Sequence, residues 1–205
     1  ERLPIMLDAA TSYVNKHRST LIKSCQAATT NASKATSIEW IIVSDGSTDD
    51  TCTVVRDYAG MQQTANDNDD TWKLFTLQIN SGKGAAVKTG MLRACGELRL
   101  MVDADGATDF GPGLERVLAT VSPSFPVVFG SRAHLSTSVK RSLVRTFLMH
   151  AFHFFVTLLC TSRVKDTQCG FKLFTRRAAL LLFDNLHLRR WAFDTELVML
   201  ANQLC

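Results

Sequence analysis

Two aspartates close an apolar stretch near the middle of the chain and could hold a metal ion. Asp103 and Asp105 follow the apolar run Leu98–Val102, and Gly106 behind them allows the backbone to turn sharply. Two neighbouring carboxylates repel each other, so a bound cation is a natural reason for both to stay ionised. Mg²⁺ or Mn²⁺ prefers one or two carboxylates together with phosphate oxygens and water. The spacing leaves two interpretations open, a metal–diphosphate site and an ordinary capped turn.

Two further features could contribute to the same chemistry. Asp45 follows the apolar run 38–43, where it stands at the end of a predicted strand or could cap a turn. The segment 80–84 reads Asn-Ser-Gly-Lys-Gly, which matches neither a Walker A loop nor a dinucleotide-binding fingerprint. It could be a glycine turn that opens a helix and brings Lys83 to a diphosphate, or a plain turn.

Strands and helices alternate along the chain, which predicts an α/β fold with a mostly parallel sheet. Ligands of such sheets bind beyond the carboxyl ends of the strands, where Asp45, Asp103 and Asp105 stand. The hydrophobic pattern predicts strands at 38–43, 73–79, 98–102 and 127–129, a solvated polar loop at 66–70, and a hairpin-like segment at 166–175. It predicts helices at 3–17, 49–62, 85–95, 113–121, 140–160, 176–184 and 194–204.

The composition excludes several classes of protein. The chain has 205 residues, 46% of them hydrophobic and 20% charged, which fits one domain with a real core and excludes disorder. The net charge of +4 is too small for a typical DNA-binding protein, and we expect no nucleic-acid partner. The six cysteines form no CxxC pair, so a zinc site or a disulfide framework is not expected. The apolar stretch 147–160 is too short to span a bilayer and is predicted to lie in the core or at a membrane surface.

Six segments together resemble a known enzyme family. The segments 43–51, 80–84 and 103–108 resemble the family 2 glycosyltransferases of GT-A fold. The segments 130–135, 166–174 and 190–194 are similar to the branch of that family that transfers glucose from UDP-glucose to dolichyl phosphate. The resemblance covers essentially the whole chain. It leads us to expect a GT-A fold and one catalytic domain over 1–205, truncated at both ends and lacking the family's first strand.

The resemblance also implies roles for individual residues. It places Asp45, Lys83, Asp103 and Asp105 at the donor nucleotide, with Asp105 and Asp103 on Mg²⁺ or Mn²⁺. It places three carboxylates at the sugar and the reaction centre, those of Asp166, Asp194 and Glu196. Gln168 and Lys172 are secondary candidates there. Asp194 and Glu196 could equally be helix-start residues favoured by the helix dipole.

The acceptor implied by the resemblance needs positive charge rather than a base. A phosphate monoester with a second pKa of about 6 is largely a dianion at neutral pH and can attack without losing a proton. Arg132, Arg141 and Arg145 are the candidates for holding it, and a solvated basic face or contact with anionic lipid is the alternative. The resemblance implies an inverting reaction for N-glycan precursor assembly, on the cytosolic side of the endoplasmic reticulum membrane. Two alternatives remain. One is a related polyprenyl-phosphate glycosyltransferase, for example with a mannosyl donor, and the other is a non-catalytic fragment.

Overall fold

Helices and strands alternate along the chain, as predicted. A computed structural model describes residues 2–29, 37–65, 68–106, 108–131 and 168–205. In these residues the elements are α1 (Arg2–Ala28), β1 (Glu39–Ser44), α2 (Thr51–Ala65), β2 (Thr71–Thr76), α3 (Lys83–Arg93), β3 (Leu98–Val102), α4 (Phe110–Thr120), β4 (Val127–Phe129), β5 (Phe171–Thr175), α5 (Arg176–Asp184) and α6 (Phe193–Leu204). The helix predicted at 140–160 lies outside the described residues.

The described strands form two small sheets. β1 and β2 are parallel, with Glu39 opposite Thr71 and Ser44 opposite Thr76, and α2 makes the crossover between them. β5 lies between β3 and β4 and is antiparallel to both. The predicted α/β class is confirmed, with a parallel sheet and flanking helices. The described strand pairs are not mostly parallel, because both pairs made by β5 are antiparallel. The hairpin predicted at 166–175 is wrong in its described part, because β5 pairs with strands far earlier in the chain.

Strand β5 separates two hydrophobic clusters. Phe171 and Leu173 pack on one side with residues of α1 and α4. Phe174 packs on the other side with residues of α3, α5 and α6. Because successive side chains of a strand point to opposite faces, Lys172 shares the face of Phe174. This places a lysine with no exposed surface inside the second cluster.

The predicted solvated loop at 66–70 is wrong for Asp70. Helix α1 continues well past the predicted end at residue 17, and Arg18 reaches Asp70 with both guanidinium ends, at 2.6 and 2.9 Å. The backbone N–H of Ile38 also donates to Asp70 Oδ1, at 2.8 Å. Burial acts to raise the pKa of Asp70, but these donors outweigh it and the pKa lies below its ordinary value. Asp70 therefore ties α1 to the start of both parallel strands.

The sequence predicts membrane contact for the stretch around 140–160, which lies outside the described residues. Across the ranges that the structure describes, every helix is too short or too polar to span a bilayer. The described cysteines are free thiols, as expected from their spacing.

Candidate active site

Asp45 holds the glycine turn against the end of β1. Its Oδ1 accepts from the backbone N–H of Ser81 at 2.7 Å, and its Oδ2 accepts from that of Gly82 at 2.8 Å. Gly46 follows with a φ of +69°, and a Cβ there would lie 2.7 Å from the backbone nitrogen of Asn80. The chain thus approaches the turn too closely for a side chain. The carboxylate of Asp45 fixes the turn, and a role at the nucleotide stays a prediction.

Lys83 connects the glycine turn to the end of β3. Gly82 precedes α3 with a φ of +98°, a conformation that favours glycine. Lys83, the first residue of α3, donates from Nζ to Asp103 Oδ2 at 2.6 Å. Asp103 is held from behind as well, since its backbone N–H donates to the carbonyl of Gly170 at 2.9 Å. Two residues predicted at the donor nucleotide therefore lie in direct contact.

A loop that precedes α6 covers the glycine turn. The carbonyl of Arg189 accepts from the backbone N–H of Ala85 at 3.0 Å. Glu196 anchors this loop, because its carboxylate accepts from the backbone N–H groups of His187 at 3.0 Å and Leu188 at 2.6 Å. Glu196 has a positioning contact here, and its predicted catalytic role is untested. Trp191, with 71% of its surface exposed, has its ring centroid 5.5 Å from Lys83 Nζ.

A buried ion pair lies behind these groups. Lys172 Nζ donates to Asp194 Oδ1 at 2.6 Å, with side-chain exposures of 0% and 1%. Burial raises the pKa of the Asp194 carboxyl, and the charge and hydrogen bond of Lys172 oppose that rise. The charges of Lys83 and Asp103 also act on Asp194, in opposite directions. The ion pair is therefore electrically coupled to the contact between Lys83 and Asp103.

The structure brings together most of the predicted site residues that it describes. Asp45, Lys83 and Asp103 surround the glycine turn, while Asp194 and Glu196 belong to the first turn of α6. Asp105 lies two residues beyond Asp103 and is exposed. The remaining predicted residues lie outside the described part of the chain; they are Arg132, Arg141, Arg145 and Asp166.

Sequence reasoning misses two contacts of this site and underrates one residue. It indicates Trp191 only as part of a motif, and it gives Gly170 no role although a Cβ there would lie 2.0 Å from Asp103 Oδ2. Lys172 is only a secondary candidate in the sequence. A lysine within the apolar strand β5 is the signal that could have found it, because a charged residue is seldom buried unless it is paired.

Asp103 and Asp105 are the described carboxylates that could contribute to the predicted metal site, and metal binding stays a prediction. In the residues described by the structure, His, Cys, Asp and Glu nowhere form a group of three or more that could hold a metal. Mg²⁺ and Mn²⁺ need only one or two carboxylates when a diphosphate supplies further oxygens. Asp103, whose side chain is 25% exposed, and the exposed Asp105 provide such a donor set.

Comparisons with known proteins agree on one family. The family model described as Glycosyl transferase family 2 matches residues 14–182. A protein of Dictyostelium discoideum named dolichyl-phosphate beta-glucosyltransferase is 43% identical over 209 residues, which cover 99% of this chain and 59% of that protein. The proteins of that name from Homo sapiens and Saccharomyces cerevisiae are 41% and 38% identical, covering 98% and 80% of this chain and 59% and 52% of their own lengths. The matches thus span between 52% and 59% of the length of these three relatives.

Proposed function

Because this chain belongs to glycosyl transferase family 2, we propose that it transfers glucose from UDP-glucose to dolichyl phosphate. The observation that carries the proposal is the meeting of Lys83 and Asp103, at 2.6 Å, beside a glycine turn that Asp45 holds. A lysine can pair with a diphosphate, and a carboxylate can hold the metal ion that a diphosphate shares; ligands of such sheets bind at the carboxyl ends of the strands. The name shared by the relatives supports the acceptor and the sugar.

On the donor side, each group has a distinct proposed task. Lys83 would pair with the diphosphate, and Asp103 with Asp105 would hold Mg²⁺ or Mn²⁺. When bound, the metal would neutralise charge on the diphosphate and so assist its departure. Asp45 would keep the turn, and with it Lys83, in place through its two backbone contacts. Trp191 would border this pocket because its ring lies beside Lys83.

On the acceptor side, the reaction needs orientation more than proton transfer. An oxygen of the dianionic acceptor phosphate would attack C1 of glucose, while the bond from C1 to the diphosphate oxygen breaks and UDP leaves with the electron pair. Attack from the opposite face inverts the configuration at C1. Arg132, Arg141 and Arg145 are proposed to hold the acceptor phosphate, and Asp166 and Asp194 to orient the sugar or stabilise its developing positive charge.

We place the reaction at the endoplasmic reticulum membrane, with the catalytic domain towards the cytosol, for assembly of the N-glycan precursor. The support for this location is the acceptor, because dolichyl phosphate is a membrane lipid whose chain cannot leave the bilayer. The phosphate group lies at the membrane surface, where arginines can reach it.

The test is a transfer assay on the protein in its full natural length. Detergent-solubilised protein is given radiolabelled UDP-glucose and dolichyl phosphate, and label in the lipid phase is counted. We expect lipid-linked glucose that requires dolichyl phosphate, disappears with EDTA and returns with Mn²⁺. Preference for GDP-mannose would indicate a related enzyme instead, and absence of transfer from either donor would contradict the proposal.

A matched pair of variants tests the donor site within that assay. Asp105→Ala removes a proposed metal ligand, whereas Asp69→Ala removes the same charge from an exposed position in a different loop. We expect Asp105→Ala to abolish Mn²⁺-dependent binding of UDP-glucose in calorimetry and Asp69→Ala to leave it unchanged. An unchanged isotherm for Asp105→Ala would remove Asp105 from the metal site.

A further inference from the structure

Lys172 bridges two parts of the candidate site. Besides its 2.6 Å contact with Asp194 in α6, its Nζ donates to the carbonyl of Cys169 at 2.5 Å. Cys169 is followed by Gly170, whose carbonyl accepts from the backbone N–H of Asp103. One buried ammonium therefore connects the segment behind Asp103 to the first turn of α6.

Only one oxygen of the Asp194 carboxylate is hydrogen-bonded within the described part of the chain. Oδ1 accepts from Lys172, whereas Oδ2 is buried and finds no hydrogen-bond partner in the part of the chain that the structure describes. An ionised carboxylate can accept several hydrogen bonds, and leaving a buried oxygen unsatisfied is costly. The charges of Lys83 and Asp103 also act on this carboxyl group.

We propose that Lys172 is a positioning residue, which fixes the Asp194 carboxylate relative to the segment behind Asp103 so that the charge of Asp194 acts on the reaction centre. The inference rests on the proposed function, because it assumes that a glucosyl group is transferred at this site. Lys172 has no exposed surface and acts through its ion pair with Asp194.

Stability alone is a poor reason for this pair. Removing two charges from water is expensive, and replacing a buried ion pair by apolar side chains often leaves stability equal or higher. The surroundings of Lys172 offer such packing, since Phe174 shares its face of β5 and the ring of Phe129 lies 5.8 Å from Nζ. A buried ion pair with an unsatisfied oxygen is better explained by a requirement for charge and direction.

The test compares three variants of the full-length protein in the UDP-glucose transfer assay, with thermal unfolding measured alongside. Lys172→Met keeps an unbranched side chain one atom shorter and removes its charge. We expect kcat to fall at least about tenfold while the KM for UDP-glucose changes by less than about threefold, because the Lys83–Asp103 contact remains. The control is Lys73→Met, which breaks the 2.5 Å pair with Glu39 at the amino end of β1 and should retain kcat.

The double variant Lys172→Met/Asp194→Asn covers the possibility that Lys172→Met fails to fold. It leaves no unpaired buried charge, so we expect the midpoint of unfolding to return towards that of the wild type while kcat stays low. Recovery of both the midpoint and kcat would make the pair purely structural and overturn the inference, as would a folded Lys172→Met variant with wild-type kcat. A wild-type protein that transfers no glucose would overturn the proposed function and this inference with it.

Discussion

Replacing Gly170 by alanine should displace the carboxylate of Asp103 without unfolding the protein. A Cβ at residue 170 would lie 2.0 Å from Asp103 Oδ2, 2.1 Å from its Cγ and 2.7 Å from its Cβ. Ordinary contact requires about 3.5 Å, so the carboxylate must retreat by more than about 1 Å. Among the described glycines, a positive φ occurs at Gly46, Gly82 and Gly106, so the backbone at Gly170 can accept alanine.

The expected loss follows from that displacement. A shift of about 1 Å in a group that positions substrate can cost roughly a hundredfold in rate, or about 2.7 kcal/mol. Asp103 would also lose its 2.6 Å contact with Lys83. We therefore expect kcat/KM for UDP-glucose to fall about a hundredfold. Rotation relieves the contacts with Oδ2 and Cγ, but the contact with Asp103 Cβ requires a small shift of the backbone. Such overpacking costs about 1–3 kcal/mol, so the fold should survive with lower stability.

The assay pairs calorimetric binding of UDP-glucose in Mn²⁺ with steady-state transfer rates. Gly60→Ala is the matched control, because a Cβ at that helical position meets nothing within 4 Å. It should leave binding unchanged and raise the free energy of unfolding by about 0.5–1 kcal/mol. If folded Gly170→Ala binds and transfers like the wild type, Asp103 does not act where we place it.

Three further changes test other parts of the molecule. Asp70→Asn should lower the free energy of unfolding by about 2 kcal/mol at pH 7. Because the folded pKa of Asp70 is depressed, this deficit should be present above the unfolded pKa of about 3.9 and vanish as the pH falls through the folded pKa. Urea unfolding at pH 7 and at a pH below the folded pKa checks this. Trp191→Ala should weaken UDP-glucose binding about two- to fivefold in calorimetry through loss of its contact with Lys83, with little change in thermal unfolding. Arg141→Ala should reduce dolichyl-phosphate use about ten- to a hundredfold at low acceptor while UDP-glucose binding stays intact; equal loss of both would place Arg141 elsewhere.

Local sequence patterns predict the elements of this fold well. The strands Leu98–Val102 and Val127–Phe129 and the helix Arg176–Asp184 agree with the prediction to the residue. Their apolar pattern and their boundary residues are local features, which a sequence displays directly. The rule that ligands bind beyond the carboxyl ends of strands directs attention to Asp45 and Asp103, because it needs only the ends of two strands. Both contact the segment 80–84, and their roles at the nucleotide stay predictions.

Contacts between distant segments could not be predicted in this way. The pairing of β5 with β3 joins Phe171 to Val102, and nothing within either strand specifies that partner. The same holds for Arg18 and Asp70, where a carboxylate in a polar segment looks solvated until the extended helix brings an arginine to it. Long-range pairing is decided by the packing of whole elements, so a polar pattern alone misplaces such residues.

The two acidic residues at the start of α6 illustrate what the backbone adds to the sequence. Sequence reasoning treats Asp194 and Glu196 alike, since both could line the site or favour the positive end of a helix. Residues two apart on a helix are separated by a rotation of about 200° about the helix axis, so their side chains point to nearly opposite sides. Asp194 therefore turns inward to Lys172, while Glu196 turns to the backbone of the loop at His187 and Leu188. One helical turn thus places one carboxylate beneath the site and uses the other to hold the loop above the glycine turn.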